Sequence, residues 1–162
     1  MAKRILTVIV NEEEHELAVD PRDTLADVLR RQLGLFGTKE GCSSGECESC
    51  TVLVDHKPVL GCLTLAMDTQ GKEVQTIEGL DQDGELHLVQ KAFVELGAIQ
   101  CGFCTPGMVL ATKSLLDRTI NPTHEEIGEA LGGHMCRCTG YVKIVEAVKG
   151  AAEAMREIAA EN

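Results

Sequence analysis

The sequence predicts an α+β protein of two units, a mixed unit of strands and one helix followed by a unit of helices alone. Two observations lead to this prediction. Strand-like hydrophobic runs dominate up to residue 77, whereas apolar residues recur with a period near 3.6 after residue 85. The eight cysteines divide in the same way, four before residue 63 and four after residue 100. Each unit is therefore expected to carry its own group of cysteines.

The first unit is predicted to begin with two strands and a helix. The first strand is Ile5–Val10, which is mostly β-branched and apolar, and residues 11–13 form the turn to a second strand at His15–Val19. Residues 20–24 open a helix that ends at Gly34, because one face of this segment is apolar: Leu25, Val28, Leu29 and Leu33.

Two further strands are predicted after this helix, Thr51–Val54 and Val74–Ile77, with a turn at residues 55–58. Two strands, one helix, a cysteine-rich loop and further strands follow one another in the order of a β-grasp, ferredoxin-like unit. We assign this unit to residues 1–77. The acidic segment 78–85 has no hydrophobic period and is predicted to be a linker.

Four helices are predicted over residues 86–162, which implies a small four-helix bundle. The first covers Leu86–Leu96, and the second starts with Thr105 as its N-cap and Pro106 at its first position. A capping box at residues 123–126 opens the third. The fourth runs from Tyr141 to about Ala159. The predicted buried stripes of the first and fourth helices are Leu86, Val89, Phe93 and Leu96, and Ile144, Val145, Val148, Ala152, Met155 and Ile158.

Four cysteines of the first unit have the spacing of plant-type [2Fe–2S] ligands, C-x4-C-x2-C followed by a fourth cysteine. We call them the first quartet: Cys42, Cys47, Cys50 and Cys62. The loop that holds three of them is rich in Gly and Ser. Small residues let the backbone approach an inorganic core closely, and glycine adopts the positive φ angles that such a loop requires.

The other four cysteines lie just before two predicted helix starts. We call them the second quartet: Cys101, Cys104, Cys136 and Cys138. Helix N-termini present unpaired N–H groups and the positive end of the helix dipole. A cluster held by four thiolates is anionic, so two loops at neighbouring helix starts are suited to hold a second cluster between them.

Zinc and disulfides are the competing interpretations of the cysteines. The N-terminus has no apolar signal-peptide core, which predicts a cytoplasmic protein, and clustered cysteines in a reducing compartment usually bind metal. Four-cysteine zinc sites favour two C-x2-C pairs, which the first quartet lacks. The chain also has no apolar run long enough to span a membrane. Its net charge of −11 argues against binding to nucleic acid.

The cysteine spacings and their neighbours resemble the small subunit, with two [2Fe–2S] clusters, of the xanthine oxidase family of molybdenum hydroxylases. The flanking segments that carry the resemblance are residues 100–108 (QCGFCTPGM) and 136–141 (CRCTGY). The resemblance implies that the first quartet holds the cluster distal to molybdenum and the second quartet the proximal one. It also implies that Gln100 and Cys138 contact the pterin of the molybdenum cofactor.

The same resemblance implies an oxidoreductase subunit that transfers electrons and has no catalytic residue of its own. The molybdopterin cofactor and FAD would then belong to two partners, a large molybdenum-binding subunit and a medium FAD-binding subunit. The assembly would be a hetero-oligomer, for example a dimer of heterotrimers. The alternative is a free-standing ferredoxin with two clusters that shuttles electrons between soluble proteins.

Two sites, covering three positions, depart from the residues usual in that family. Glu48 replaces the usual Gly after the second ligand, and His134-Met135 replaces the usual Asn-Leu before Cys136. A carboxylate beside an anionic cluster is expected to make reduction of that cluster less favourable. For His134 we predict a local hydrogen-bonding role rather than ligation, because four thiolates already fill the site.

Overall fold

The computed structural model describes residues 2–81 and 84–161. Within these ranges the chain forms one sheet of five strands and five α-helices. The strands are β1 (Arg4–Val10), β2 (Glu13–Val19), β3 (Thr51–Val54), β4 (Lys57–Leu60) and β5 (Glu73–Gln75). The helices are α1 (Leu25–Arg31), α2 (Leu88–Glu95), α3 (Thr105–Arg118), α4 (His124–Leu131) and α5 (Val142–Glu161).

The sheet has the mixed topology of a β-grasp unit, which confirms the predicted fold class. Its strand order is β2-β1-β5-β3-β4, and β1 and β5 run parallel whereas the other neighbours run antiparallel. Helix α1 packs on one face, because its apolar side and the inward residues of the strands form one core. That core is made of Leu6, Val8, Val10, Val19, Leu25, Val28, Leu29, Val52, Val54, Ala66 and Val74.

The sequence missed β4 and misplaced the last strand. The predicted turn at residues 55–58 is shorter in the structure, since Lys57 already pairs with Val54. Asp55 and His56 both have positive φ, as a two-residue hairpin turn of type I′ requires. The usual Asn-Gly signal for that turn is absent here. The last strand covers Glu73–Gln75, because the chain turns into a short 3₁₀ segment at Ile77–Gly79.

The four predicted helices of the second unit are present, with shifted starts. Cys104, rather than Thr105, occupies the N-cap of α3, so that Thr105 and Pro106 lie inside the first turn. Helix α5 begins at Val142, because Tyr141 has a positive φ and cannot be helical. The predicted stripe of α5 is too long, since Ile158 is 48% exposed.

The two units share strand β3. All four of its residues are buried; Val52 and Val54 face the first core, whereas Leu53 joins the core of the helices. The Ser114 hydroxyl of α3 also donates to the His56 carbonyl. The predicted linker therefore does not separate two independent bodies.

Part of that predicted linker is packed against both units. Leu80 is buried in the helical core, and the Glu78 carboxylate accepts a hydrogen bond from the Gly37 N–H. Gln82 and Asp83 lie outside the described residues. The division at residues 78–85 stays a prediction. No helix among residues 2–81 and 84–161 has the length and apolar character needed to cross a membrane.

The N-cap of α2 is an unusual one, and it predicts a pH effect. The neutral Nδ1 of His87 accepts a hydrogen bond from the Val89 N–H. Burial lowers the pKa of His87, and the Lys113 charge lowers it further. The Asp117 carboxylate has a smaller, opposite effect. As the pH falls below the usual histidine pKa of about 6.5, the unfolded chain gains the proton first, so stability decreases.

We expect His87→Ser to reduce this pH dependence, because serine caps a helix without titrating in this range. Thermal unfolding at pH 7.5 and 5.5 measures the loss of stability between the two pH values. The wild-type protein should lose up to about 1 kcal/mol more than the variant, because an N-cap contributes about that much. Equal losses in both proteins would contradict this role of His87.

Candidate metal centres

The first quartet lies in the loop between α1 and β3 and just after β4. Ser43 and Gly45 have positive φ, so that the backbone folds tightly around the sulfur atoms. Gly41 is needed for a close approach, since a Cβ there would lie 2.9 Å from the Cys47 Sγ. Cys62 reaches the loop from the end of β4, and its N–H lies 3.5 Å from the Cys50 Sγ.

The second quartet is formed by the two segments that precede α3 and α5. Cys104 is the N-cap residue of α3, and Cys136 and Cys138 belong to the segment before α5. The Sγ atoms of Cys101 and Cys138 are 3.5 Å apart. The thiol of Cys104 lies against that of Cys136.

Both quartets therefore consist of two cysteine pairs. In the first quartet the pairs are Cys42 with Cys47 and Cys50 with Cys62. Among the described residues, no three Cys, His, Asp or Glu side chains converge closely enough to hold a single metal ion. Two pairs of thiolates fit a two-iron core, in which each iron takes two cysteines. A cavity of about 350 Å³ lies between the quartets, lined by six of the thiols: Cys42, Cys47, Cys101, Cys104, Cys136 and Cys138.

Each quartet has a solvent-facing side and a buried side, and the pKa values of four thiols differ along this division. The exposed Cys138 is an exception, because its hydrogen bond with Cys101 raises its pKa. Hydrogen bonds from Ser44 lower the pKa of Cys42 to about 6. Burial opposes ionisation of Cys136, but hydrogen bonds from Thr139 outweigh it and lower its pKa to about 7. Burial raises the pKa of both Cys50 and Cys104 to about 12. The positive charge of a bound metal ion would favour ionisation of the buried thiols Cys50 and Cys104, whereas hydrogen bonds already favour the thiolate forms of Cys42 and Cys136.

One backbone hydrogen bond links the two quartets. The Met135 N–H donates to the Cys47 carbonyl over 3.2 Å. Met135 directly precedes Cys136, so a candidate ligand of each centre lies at either end of this short connection. The sequence pattern did not predict it, because the two segments are far apart in the chain.

Glu48 and His134, two of the three departures noted in the sequence, contact each other. The Glu48 Oε2 lies 2.9 Å from the His134 Nδ1, although the two atoms are not in hydrogen-bond geometry. Burial lowers the pKa of His134 to about 4 and raises that of Glu48. Their proximity acts the other way, because a carboxylate beside an imidazolium stabilises both charges. The expected hydrogen-bonding role of His134 is supported by its Nε2, 3.3 Å from the Thr51 hydroxyl.

Tyr141, the only tyrosine of the chain, supports the second quartet in a way that the sequence did not reveal. Its hydroxyl accepts a hydrogen bond from the Cys136 N–H over 2.8 Å. Gln100 and Arg137, which flank candidate ligands, are exposed. A tyrosine five residues after a ligand cysteine would have been the signal for this contact.

Comparison with known families places both halves of the chain among iron–sulfur proteins. Residues 8–80 match the 2Fe-2S iron-sulfur cluster binding domain, and residues 76–149 match the [2Fe-2S] binding domain. The chain is 46% identical to the nicotinate dehydrogenase small FeS subunit of Eubacterium barkeri, over 94% of this chain and 98% of that protein. It is 48% identical to the nicotine 6-hydroxylase small subunit of Paenarthrobacter nicotinovorans, over 88% and 86% of the two chains.

A solved structure gives the same result for the fold. A chain of quinoline 2-oxidoreductase from Pseudomonas putida 86 superimposes with a TM-score of 0.92 at 41% identity, over 97% of this chain and 98% of that chain. The aldehyde oxidoreductase of Desulfovibrio desulfuricans also matches, with a TM-score of 0.90 and 42% identity, but there the match covers 94% of this chain and 17% of the other. The same two-unit fold thus occurs as a separate chain and within a longer one.

We expect about four iron atoms and about four acid-labile sulfides per chain, because two [2Fe–2S] clusters each need four cysteines. Iron and sulfide analysis of the purified protein measures this. Cys47→Ser serves as the matched variant and should contain about half of each. Stoichiometric zinc, or half the expected iron in the unsubstituted protein, would mean that one quartet is misinterpreted.

Proposed function

Because this chain belongs to the iron–sulfur small subunits of the xanthine oxidase family of molybdenum hydroxylases, we propose that it relays electrons between a molybdopterin site and FAD on two partner subunits. The first quartet holds the distal [2Fe–2S] cluster and the second quartet the proximal one. The residues of this chain supply the thiolates, the surrounding hydrogen bonds and a fixed separation between the two centres. The clusters supply the one-electron redox chemistry.

The observation that supports this relay best is the hydrogen bond from the Met135 N–H to the Cys47 carbonyl. Electronic coupling between redox centres falls steeply with distance through empty space and less steeply through bonds and hydrogen bonds. This contact provides a short, mostly covalent connection from Cys136 to Cys47. A protein that only stored iron would not need its two centres joined in this way.

The exposed side of the second quartet is the proposed contact with the molybdenum subunit. Cys101 and Cys138 are exposed, and the neighbouring Gln100 is exposed as well. We propose that Gln100 and Cys138 contact the pterin there. Large apolar side chains surround this side and would be covered by the partner: Phe103, Met135, Tyr141 and Val142.

Substitution of one of these apolar residues tests the docking. Val142 is 66% exposed, and burying a valine fully at an interface contributes about 1.5–3 kcal/mol. We expect Val142→Ser to weaken the affinity for the molybdenum-binding subunit by about tenfold or more, so that less of that subunit co-purifies. The variant should also be more soluble when this chain is expressed alone.

Ile5→Ser is the matched control, because Ile5 is 55% exposed on β1, in the first unit. It should leave co-purification unchanged. If the isolated, unsubstituted chain is a stable monomer with both clusters intact and binds no larger subunit, it acts as a free-standing ferredoxin and the proposed function is wrong.

A further inference from the structure

The Glu48 side chain reaches from the loop of the first quartet into the helical unit. Two glycines of that unit leave room for Glu48, one for its side chain and one for its backbone. A Cβ on Gly133 would collide with the Glu48 carboxylate, and a Cβ on Gly107 would lie 2.8 Å from the Glu48 carbonyl oxygen. The Glu48 side chain is only 30% exposed. It therefore occupies a fitted site rather than extending into solvent.

The polar groups of this site lie close to one another, although the Glu48–His134 approach does not have hydrogen-bond geometry. The Glu48 carboxylate is 2.9 Å from the His134 Nδ1, and the His134 Nε2 is 3.3 Å from the Thr51 hydroxyl. That hydroxyl donates to the Glu48 carbonyl over 2.8 Å. His134 is 3% exposed, and its Nδ1 makes no hydrogen bond among the described residues. A buried, unpaired polar atom is costly, and the nearby Glu48 carboxylate is the charged group that can offset this cost.

We propose that Glu48 and His134 are positioning residues that clamp the loop of the first quartet against the segment carrying Cys136, and so fix the separation and orientation of the two centres. In the chain, Glu48 directly follows Cys47 and His134 directly precedes Met135. The pair therefore lies directly beside the Met135–Cys47 hydrogen bond. This inference rests on the proposed function only in that two clusters occupy the quartets.

Backbone conformation supports the assignment. Glu48 has a φ of +52°, a left-handed conformation that non-glycine residues rarely adopt and that needs compensating contacts. Glycine would take it without strain, as the usual family residue at this position does. The second unusual residue, His134, is the residue that Glu48 contacts. The two unusual residues, Glu48 and His134, are therefore the two partners of one contact.

The test compares three single variants, and then one double variant, of the assembled complex. Glu48→Gln keeps the shape but removes the charge, His134→Asn removes the ring, and Glu46→Gln is the matched control. Glu46 is exposed on the other side of Cys47 and makes no hydrogen bond or ion pair among the described residues. Hydrogen exchange of the peptide containing the Met135 N–H reports on the clamp. Spin–spin splitting in the EPR spectrum of the fully reduced complex reports on the separation and orientation of the two centres.

We expect Glu48→Gln and His134→Asn to accelerate exchange at Met135 by about tenfold or more and to broaden the splitting, whereas Glu46→Gln changes neither. The double variant Glu48→Gly with His134→Asn removes both partners and the backbone strain. It should recover slow exchange and a sharp splitting at least in part. Unchanged splitting in both single variants, or equal effects of Glu46→Gln, would overturn the proposal.

Failure of the proposed function would look different. Exchange at Met135 does not depend on whether electrons pass between the centres. A complex with no electron relay but with the expected exchange pattern would contradict the proposed function and still support the clamp. A working relay with no change in exchange for either single variant would overturn the clamp alone.

Discussion

Cys47→Ser should abolish turnover with the external electron acceptor while leaving the first steps of the reaction intact. The substitution removes one thiolate of the first quartet. The Met135–Cys47 connection would then no longer lead to a cluster at its Cys47 end. Changes in residues that only support a metal ligand typically cost 10–100-fold, so loss of a ligand should lower turnover by about 100-fold or more. Substrate should still reduce molybdenum and the proximal cluster, because the second quartet is untouched.

Rapid-mixing EPR of the assembled complex distinguishes these steps. The proximal signal should appear at the wild-type rate after substrate is added, the distal signal should be absent, and FAD should stay oxidised. Glu46→Gln provides the control next to the same cysteine, and it should retain both signals. Normal turnover without a distal signal would mean that electrons do not pass through the first quartet, which would leave the β-grasp unit a structural role only.

Cys104→Ser should stop the reaction one step earlier. Cys104 is a buried member of the second quartet and the N-cap of α3. Serine is itself a favoured N-cap, so the start of α3 should persist while the proximal cluster is lost. We expect turnover to fall by about 100-fold or more, with molybdenum reduced by substrate and no electrons reaching the distal cluster.

The two cysteine variants act as controls for each other. A strong reductant such as dithionite should produce the distal signal alone in Cys104→Ser and the proximal signal alone in Cys47→Ser. If Cys104→Ser loses the distal signal under dithionite as well, the two quartets do not assemble independently. If Cys104→Ser passes electrons from substrate to FAD at the normal rate, the proposed series of centres is wrong.

The sequence predicted the parts of this molecule that are encoded locally. Cysteine spacing and position at helix starts predicted the two quartets, whose members lie near one another in the structure, and the capping box at Thr123 and Glu126 is present as predicted. Periodicity located the helices but shifted their starts, because Cys104 is a poor N-cap signal and Tyr141 carries a positive φ that only the surrounding contacts impose. The hairpin at Asp55 and His56 was missed for a similar reason, since neither residue is the glycine that this turn favours.

The contacts between the two quartets could not be predicted, because they join residues far apart in the chain. Glu48 and His134 were both noticed as unusual, but nothing in a single sequence pairs position 48 with position 134. Tertiary structure brings them together through the shared packing of β3 and α3, whose residues Leu53 and Leu110 belong to one core.

Strand β3 belongs to two hydrophobic cores, which affects how the protein unfolds. Because Val52 and Val54 stabilise one unit while Leu53 stabilises the other, β3 cannot be withdrawn from either without exposing both. The units should therefore melt in a single cooperative transition rather than one after the other. A fragment ending near Ile77 would leave Leu53 uncovered, and would be prone to aggregate where an ordinary ferredoxin of that length is self-contained.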